Sequence, residues 1–363
     1  MVAALKKIDW WLMAGVGYLA LVSLLVIRGL PGTDAVSYFW RQLTWCSIGL
    51  ICVMIFVIAD WRKIFESQLV IVVFYLCSLF LLLGVLLVGN RIRGASSWFE
   101  LGSFNFQPSE FAKLALMFFL ARYFSRRHSD IWSVRYLVVP ALYTTGLAIP
   151  TFLQPALGSA LVILFMFFSL IVLLGLRVRH ILFGLFIAFF FAGIAWVMLL
   201  KPYQKERILN FVNPGRDPLG SGYHALQAKI AVGSGGFWGR GLGQGTETQL
   251  QLLPETRTDF IFSAYAEEFG LAGVLLLLAA FGVMFGRLTF IAARTRSNFS
   301  TIFVLLFLLK IYIEVTINIG GNIGLLPITG IALPFVSYGG SSLLVNYIGL
   351  GIVQGIYVRS RSV

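Results

Sequence analysis

Long apolar runs separated by short polar stretches dominate the chain. They lie near residues 9–29, 42–59, 68–89, 110–124, 134–150, 157–175, 181–200, 263–293, 299–320 and 340–358. A membrane-crossing helix needs about 20 predominantly apolar residues, so this pattern predicts about ten transmembrane helices and an all-α, polytopic membrane fold. The fourth run is short, and the eighth is long enough to be broken. The first run follows Lys6 and Lys7 and has the length of a full span with no small-residue cleavage site after it, which predicts a retained helix rather than a signal peptide. The runs show no internal repeat, which gives no support to the inverted-repeat plan of many secondary transporters. A single domain over 1–363 is expected, with one large loop, 201–259, between helices 7 and 8.

Composition supports this reading. Of 363 residues, 59% are hydrophobic and 12% charged, and the mean hydropathy is +0.88; a soluble domain carries about twice that charged share. The net charge of +13 does not point to nucleic acid, because the basic residues sit in short clusters between apolar runs. With both termini on the cytoplasmic side, about fifteen Lys and Arg fall inside and about eleven outside, in keeping with the positive-inside rule. Loops 90–109 and 201–259 then face outward. A loop near sixty residues long is more than a connector, and its glycines, with Phe211, Tyr223, Phe237 and Trp238, predict a packed structure at the membrane surface. Cys46, Cys52 and Cys77 lie within apolar runs at spacings that fit neither zinc nor a disulfide framework.

Only His224 of the three histidines falls outside, so acid–base chemistry there rests on carboxylates. Asp259 stands where Pro254-Glu255-Thr256-Arg257-Thr258-Asp259 meets the apolar Phe260-Ile261-Phe262. Partial desolvation at that boundary would make it a better proton acceptor; the competing role is N-cap of the eighth helix. Glu110 and Lys113 are one turn apart on the fourth helix, and Lys310 and Glu314 four apart on the ninth. Each pair marks either a functional cavity or a structural ion pair. Glu267 and Glu268 are adjacent and point different ways.

Five ordered segments carry a resemblance: RGASSWFELGSFNFQPSEFAKLAL (93–116), QPALGSALV (154–162), YQKERILNFVNPGRDPLGSGYHALQAKIAVGSGGFWGRGLG (203–243), LPETRTDFIFSAYAEEFG (253–270) and INIGGNIGLLPITGIALPFVSYGGSS (317–342). They resemble the SEDS family (shape, elongation, division and sporulation proteins), and GYHALQAKIAVGSGG is closer to the RodA pattern than to the FtsW division pattern. The resemblance implies a peptidoglycan glycosyltransferase of the bacterial inner membrane. It would join lipid II to a glycan strand during cell elongation, release undecaprenyl pyrophosphate, and work with a class B penicillin-binding protein and other elongation-complex proteins. It further implies Asp259 as catalytic base. Glu110, Lys113, Trp98, Arg93, Arg207, Glu255 and Ser234 would bind substrate or line a cavity, and a divalent cation such as Mg or Mn would assist. Two positions depart from the family pattern, with Ala156 where it has aspartate and Arg257 where it has histidine. A lipid II flippase and a non-enzymatic scaffold for a transpeptidase are the rival functions.

Overall fold

The structure is a computed structural model, and it describes residues 6–32, 35–59, 67–88, 90–92, 95–101, 104–126, 135–154, 156–175, 178–213, 221–253 and 255–360. All ten apolar runs are helical: α1 Trp10–Gly29, α2 Ala35–Ile58, α3 Gln68–Val88, α4 Pro108–Ser125, α5 Arg135–Leu153, α6 Leu157–Leu173, α7 Val178–Ile194, α11 Ile261–Arg294, α12 Asn298–Asn322 and α13 Gly340–Ser360. Seven of them are long and apolar enough to cross a membrane by length and composition, and α6 is a shorter apolar helix. α4 is not among the seven; its 18 residues carry Glu110, Lys113 and Arg122. The chain is a multi-pass membrane protein.

The helices are not equivalent. In α13 and α12, 83% and 67% of the most apolar window is buried, against 28% in α2 and α3. α4 is buried on nearly every face, as expected of a helix without a polar side. These three therefore form the centre. Small residues let the outer helices approach this centre closely. A Cβ on Gly351 of α13 would lie 2.9 Å from the Val53 Cα of α2, a backbone approach that membrane helices use where apolar surface alone gives no drive to associate. Helix starts follow local chemistry. The Asp9 carboxylate accepts from Leu12 N–H at the head of α1, and Pro108 and Glu110 occupy the first turn of α4.

The described part of loop 201–259 is structured, holding α8 Pro202–Val212, α9 Ser221–Ser234 and the short α10 Thr246–Gln249. The other long loop departs from the all-helical expectation in detail. It folds as a three-stranded antiparallel sheet, β1 Asn90–Ile92, β2 Ala95–Leu101 and β3 Phe104–Phe106, in the order β1-β2-β3.

α11 is broken at Gly270, whose φ of 64° and ψ of −166° are non-helical and suit only glycine. The break separates two pairs of backbone groups that would otherwise bond to each other, and segment 236–241 satisfies all four. Arg240 and Gly241 N–H groups donate to the Glu267 and Glu268 carbonyls at 3.0 Å each. Leu271 and Ala272 N–H groups donate to the Gly236 and Phe237 carbonyls at 2.9 and 3.0 Å. A kink therefore costs no orphaned buried backbone group.

Candidate active site

Asp259 ends a tight turn. The Glu255 carbonyl accepts from the N–H groups of Thr258, Asp259 and Phe260 at 3.0, 3.2 and 3.4 Å, and Glu255 itself has a φ of 50°. Phe260 is anchored in a small apolar cluster with Ala228, Ala231 and Leu253. Asp259 is thereby left half-buried at the edge of the bundle.

Three successive carbonyls of this turn are each held by the segment running from the end of α12 to the start of α13. The Arg257 carbonyl accepts from Tyr338 N–H at 2.8 Å, and the Thr258 carbonyl from the Ser337 hydroxyl at 2.7 Å. The Asp259 carbonyl accepts from Asn322 Nδ2 at 2.9 Å and Asn318 Nδ2 at 3.1 Å. Asn322 Oδ1 also accepts from the Ser263 hydroxyl at 2.6 Å, and Asn318 Nδ2 donates to the Ile331 carbonyl at 2.8 Å. Both amides are buried. The carboxylate lies beside Gly330, where a Cβ would stand 3.5 Å from Oδ2 and where φ is +75°.

The capping alternative for Asp259 does not hold. The N-cap position of α11 is Phe260, and no side-chain hydrogen bond caps that helix. Arg257, beside it in sequence, lies over the Tyr38 ring at 3.8 Å; among the described residues it forms no ion pair with Asp259.

Glu110 and Lys113 meet Lys310 and Glu314 in one closed ring rather than as two separate pairs. Lys113 Nζ lies 2.7 Å from Glu110 and 2.6 Å from Glu314, and Lys310 Nζ lies 2.8 Å from Glu314 and 4.0 Å from Glu110. Lys310 also donates to Asn346 Oδ1 at 2.6 Å. Signs alternate around the ring and the formal charge is zero, which makes such burial tolerable at membrane depth. The Lys113 side chain is 1% exposed, so its charge is matched inside the protein and not presented to a diphosphate.

The other expected residues are dispersed. Trp98 is half-buried on β2, paired in register with Asn90. Arg93 lies outside the described residues. Arg207 is exposed on α8. Ser234 ends α9, its hydroxyl donating to the Ala231 carbonyl at 3.0 Å, and Glu255 contributes its carbonyl to the turn. Glu267 accepts from Glu247 N–H, Thr248 N–H and the Thr248 hydroxyl at 2.9, 3.2 and 2.8 Å, and Glu268 from Gly243 N–H at 3.0 Å; both adjacent carboxylates thus hold the loop. Ala156 is the N-cap of α6, with no side-chain cap, so the aspartate of the family pattern would occupy a capping position. Among the described residues no three His, Cys, Asp or Glu side chains converge to hold a metal ion.

The sequence reading missed Asn318, Asn322 and Ser337. The signal was present: two amides four residues apart in a largely apolar helix share one face and need partners at membrane depth.

Comparison with known proteins places this arrangement among relatives. The chain is 36% identical over 351 residues to peptidoglycan glycosyltransferase MrdB of Escherichia coli K12, covering 94% of this chain and 91% of that one. It superposes with a TM-score of 0.84 and 33% identity on a chain of a peptidoglycan synthase complex that coordinates polymerization and crosslinking, covering 97% and 98% of the two. Rod shape determining protein RodA of Thermus thermophilus matches with a TM-score of 0.70 and 30% identity over 96% of each chain. The family model for FtsW, RodA and SpoVE, described as cell cycle protein, matches residues 4–362, and the chain belongs to that family.

Proposed function

We propose that the chain is a RodA-type peptidoglycan glycosyltransferase of the bacterial inner membrane, with lipid II as its substrate and Asp259 as general base. The observation that carries this is the turn at Asp259, whose carboxylate is excluded from helix capping while its own backbone is pinned at three consecutive carbonyls. A base must be held within hydrogen-bond reach of the proton it removes, and a misplacement near 1 Å can cost about 100-fold in rate.

In the reaction an acceptor hydroxyl oxygen attacks the anomeric carbon of the donor sugar. Its proton passes to a carboxylate oxygen of Asp259. The bond from the anomeric carbon to the diphosphate oxygen breaks, its electron pair leaving with undecaprenyl pyrophosphate. The expected Mg or Mn finds no donor set of three side chains among the described residues. Both termini face the cytoplasm and Asp259 the opposite side, in line with the distribution of basic residues. A class B penicillin-binding protein supplies crosslinking within a larger elongation complex; in support, the structural relative is a chain of a peptidoglycan synthase complex that coordinates polymerization and crosslinking.

Polymerisation of purified lipid II by the reconstituted protein with its partner tests the reading. Asp259→Asn and Asp259→Ala should abolish glycan strands while folding and partner binding persist. Polymer formed at the wild-type rate by Asp259→Asn removes the carboxylate from the mechanism. Lipid movement without polymer in the wild type would favour a flippase.

A further inference from the structure

Lys113 is buried in the central ring with its charge already matched by Glu110 and Glu314. Among the described residues, a group of cations near the Asp259 turn lies in an aromatic cluster at the head of α2. Arg257 sits over the Tyr38 ring at 3.8 Å, and Arg41 flanks the same ring at 5.9 Å. Tyr38 and Tyr338 meet edge to face with centroids 5.1 Å apart, and Arg41 lies close to the Tyr338 phenol. A third guanidinium, Arg28, lies 5.4 Å from the neighbouring Phe39 ring. None of the three has a carboxylate partner among the described residues.

Tyr338 joins this cluster to the Asp259 turn, because its N–H binds the Arg257 carbonyl at 2.8 Å. Arg257 is half-buried and Arg41 exposed, leaving both reachable. Like-charged guanidinium groups gathered without counter-charge create a positive field. Aromatic faces hold them in place without neutralising them, and the planar fork of arginine matches phosphate oxygens two at a time.

We infer that Arg41 and Arg257, seated on Tyr38 and Tyr338, form the subsite for the diphosphate of a polyprenyl-linked substrate. This rests on the glycosyltransferase reading and deepens it. The subsite holds the donor before reaction and offsets the charge that grows on the diphosphate as the anomeric bond breaks. It also gives a role to Arg257, which stands where the family pattern has histidine.

The test uses the full chain in phosphatidylcholine nanodiscs, with binding of labelled undecaprenyl diphosphate and undecaprenyl monophosphate measured without turnover. The wild type should prefer the diphosphate by about tenfold or more. Arg41→Gln and Arg257→Gln should each lose about tenfold for the diphosphate, the worth of a hydrogen bond to a charged group, with little change for the monophosphate. Arg41→Lys/Arg257→Lys keeps the charge and loses the fork, so it should lose at least about threefold of the preference; it substitutes for any glutamine variant that is not monodisperse. Full diphosphate preference in these variants overturns the inference. So does displacement of the probe by phosphatidylglycerol as effective as by unlabelled undecaprenyl diphosphate, which would make the cluster a general contact for anionic lipid headgroups. Asp259→Asn should bind like the wild type. Arginine-dependent binding in a protein that polymerises nothing would sink the enzymatic reading and leave the subsite standing; Asp259-dependent polymerisation with arginine-independent binding would do the reverse.

Discussion

The two amides on α12 offer the sharpest perturbation of the site. Asn318→Leu and Asn322→Leu keep the approximate volume and remove the donors that hold the Asp259 carbonyl. Each single variant leaves that carbonyl one of its two bonds, at 2.9 or 3.1 Å. The double variant leaves it neither, within a buried environment. A hydrogen bond contributes about 0.5–1.5 kcal/mol net, and a buried group left without a partner costs about 1–3 kcal/mol. Asn322→Leu also orphans the Ser263 hydroxyl, and Asn318→Leu the Ile331 carbonyl bond, so each single change should cost about 1–3 kcal/mol of stability. Catalysis should behave differently. A single variant still has one anchor and should lose kcat by less than about tenfold, whereas the double variant frees the backbone under the base and should lose about 100-fold. Measured as a double-mutant cycle on kcat for lipid II polymerisation, the coupling should fall in the range of about 0.5–3 kcal/mol, with KM nearly constant. A double variant that melts at lower temperature yet keeps its kcat would refute the reasoning, because the amides would then be structural only.

Removing one cation from the central ring should be costly: Lys113→Met leaves Glu110 and Glu314 short of charge and should destabilise by about 3–5 kcal/mol, visible as a lower melting temperature, while Lys113→Met/Glu110→Gln should recover part of the loss. Ala156→Asp supplies α6 with the capping group it lacks and should stabilise by about 0.5–2 kcal/mol in the same melts. Burial, with the nearby Glu267 carboxylate, raises the Glu247 carboxyl above its ordinary value while Arg240 opposes. The folded state therefore holds that proton more tightly than the unfolded state, and its stabilisation is full below the usual carboxylate range and lost as pH rises through the folded value. Glu247→Gln should accordingly melt above the wild type at pH 8, and the gap should close towards pH 4; a gap independent of pH would contradict this.

Much of the fold is written in hydropathy. Every apolar run became a helix, and the one too long for a simple span is the one that breaks, since a glycine within it and a glycine-rich loop elsewhere were free to bond across the gap. Residues 90–92, 95–101 and 104–106 became strands that the run-length rule does not see, being three to seven residues long. Asp259 was legible by its place at a polar–apolar boundary, and it was the motif that favoured base over cap. The ring of Lys113, Glu110, Lys310 and Glu314 was legible only as two local pairs, because spacing along one helix says nothing about which other helix it faces. The arginine cluster was hidden for the same reason: Arg41 and Arg257 are more than two hundred positions apart and meet through Tyr38.

The splice at Gly270 makes the outer loop and the head of α11 a single mechanical part. Four backbone bonds couple segment 236–241 to both sides of the break, and the Glu267 and Glu268 carboxylates grip residues 243–248 from below. A push on the loop is therefore a push on residues 261–269 and on Asp259 just ahead of them, while residues 271–294 can stay at rest, with Gly270 as the pivot. Force applied outside the membrane reaches the Asp259 carboxylate through a stiff strut two turns long.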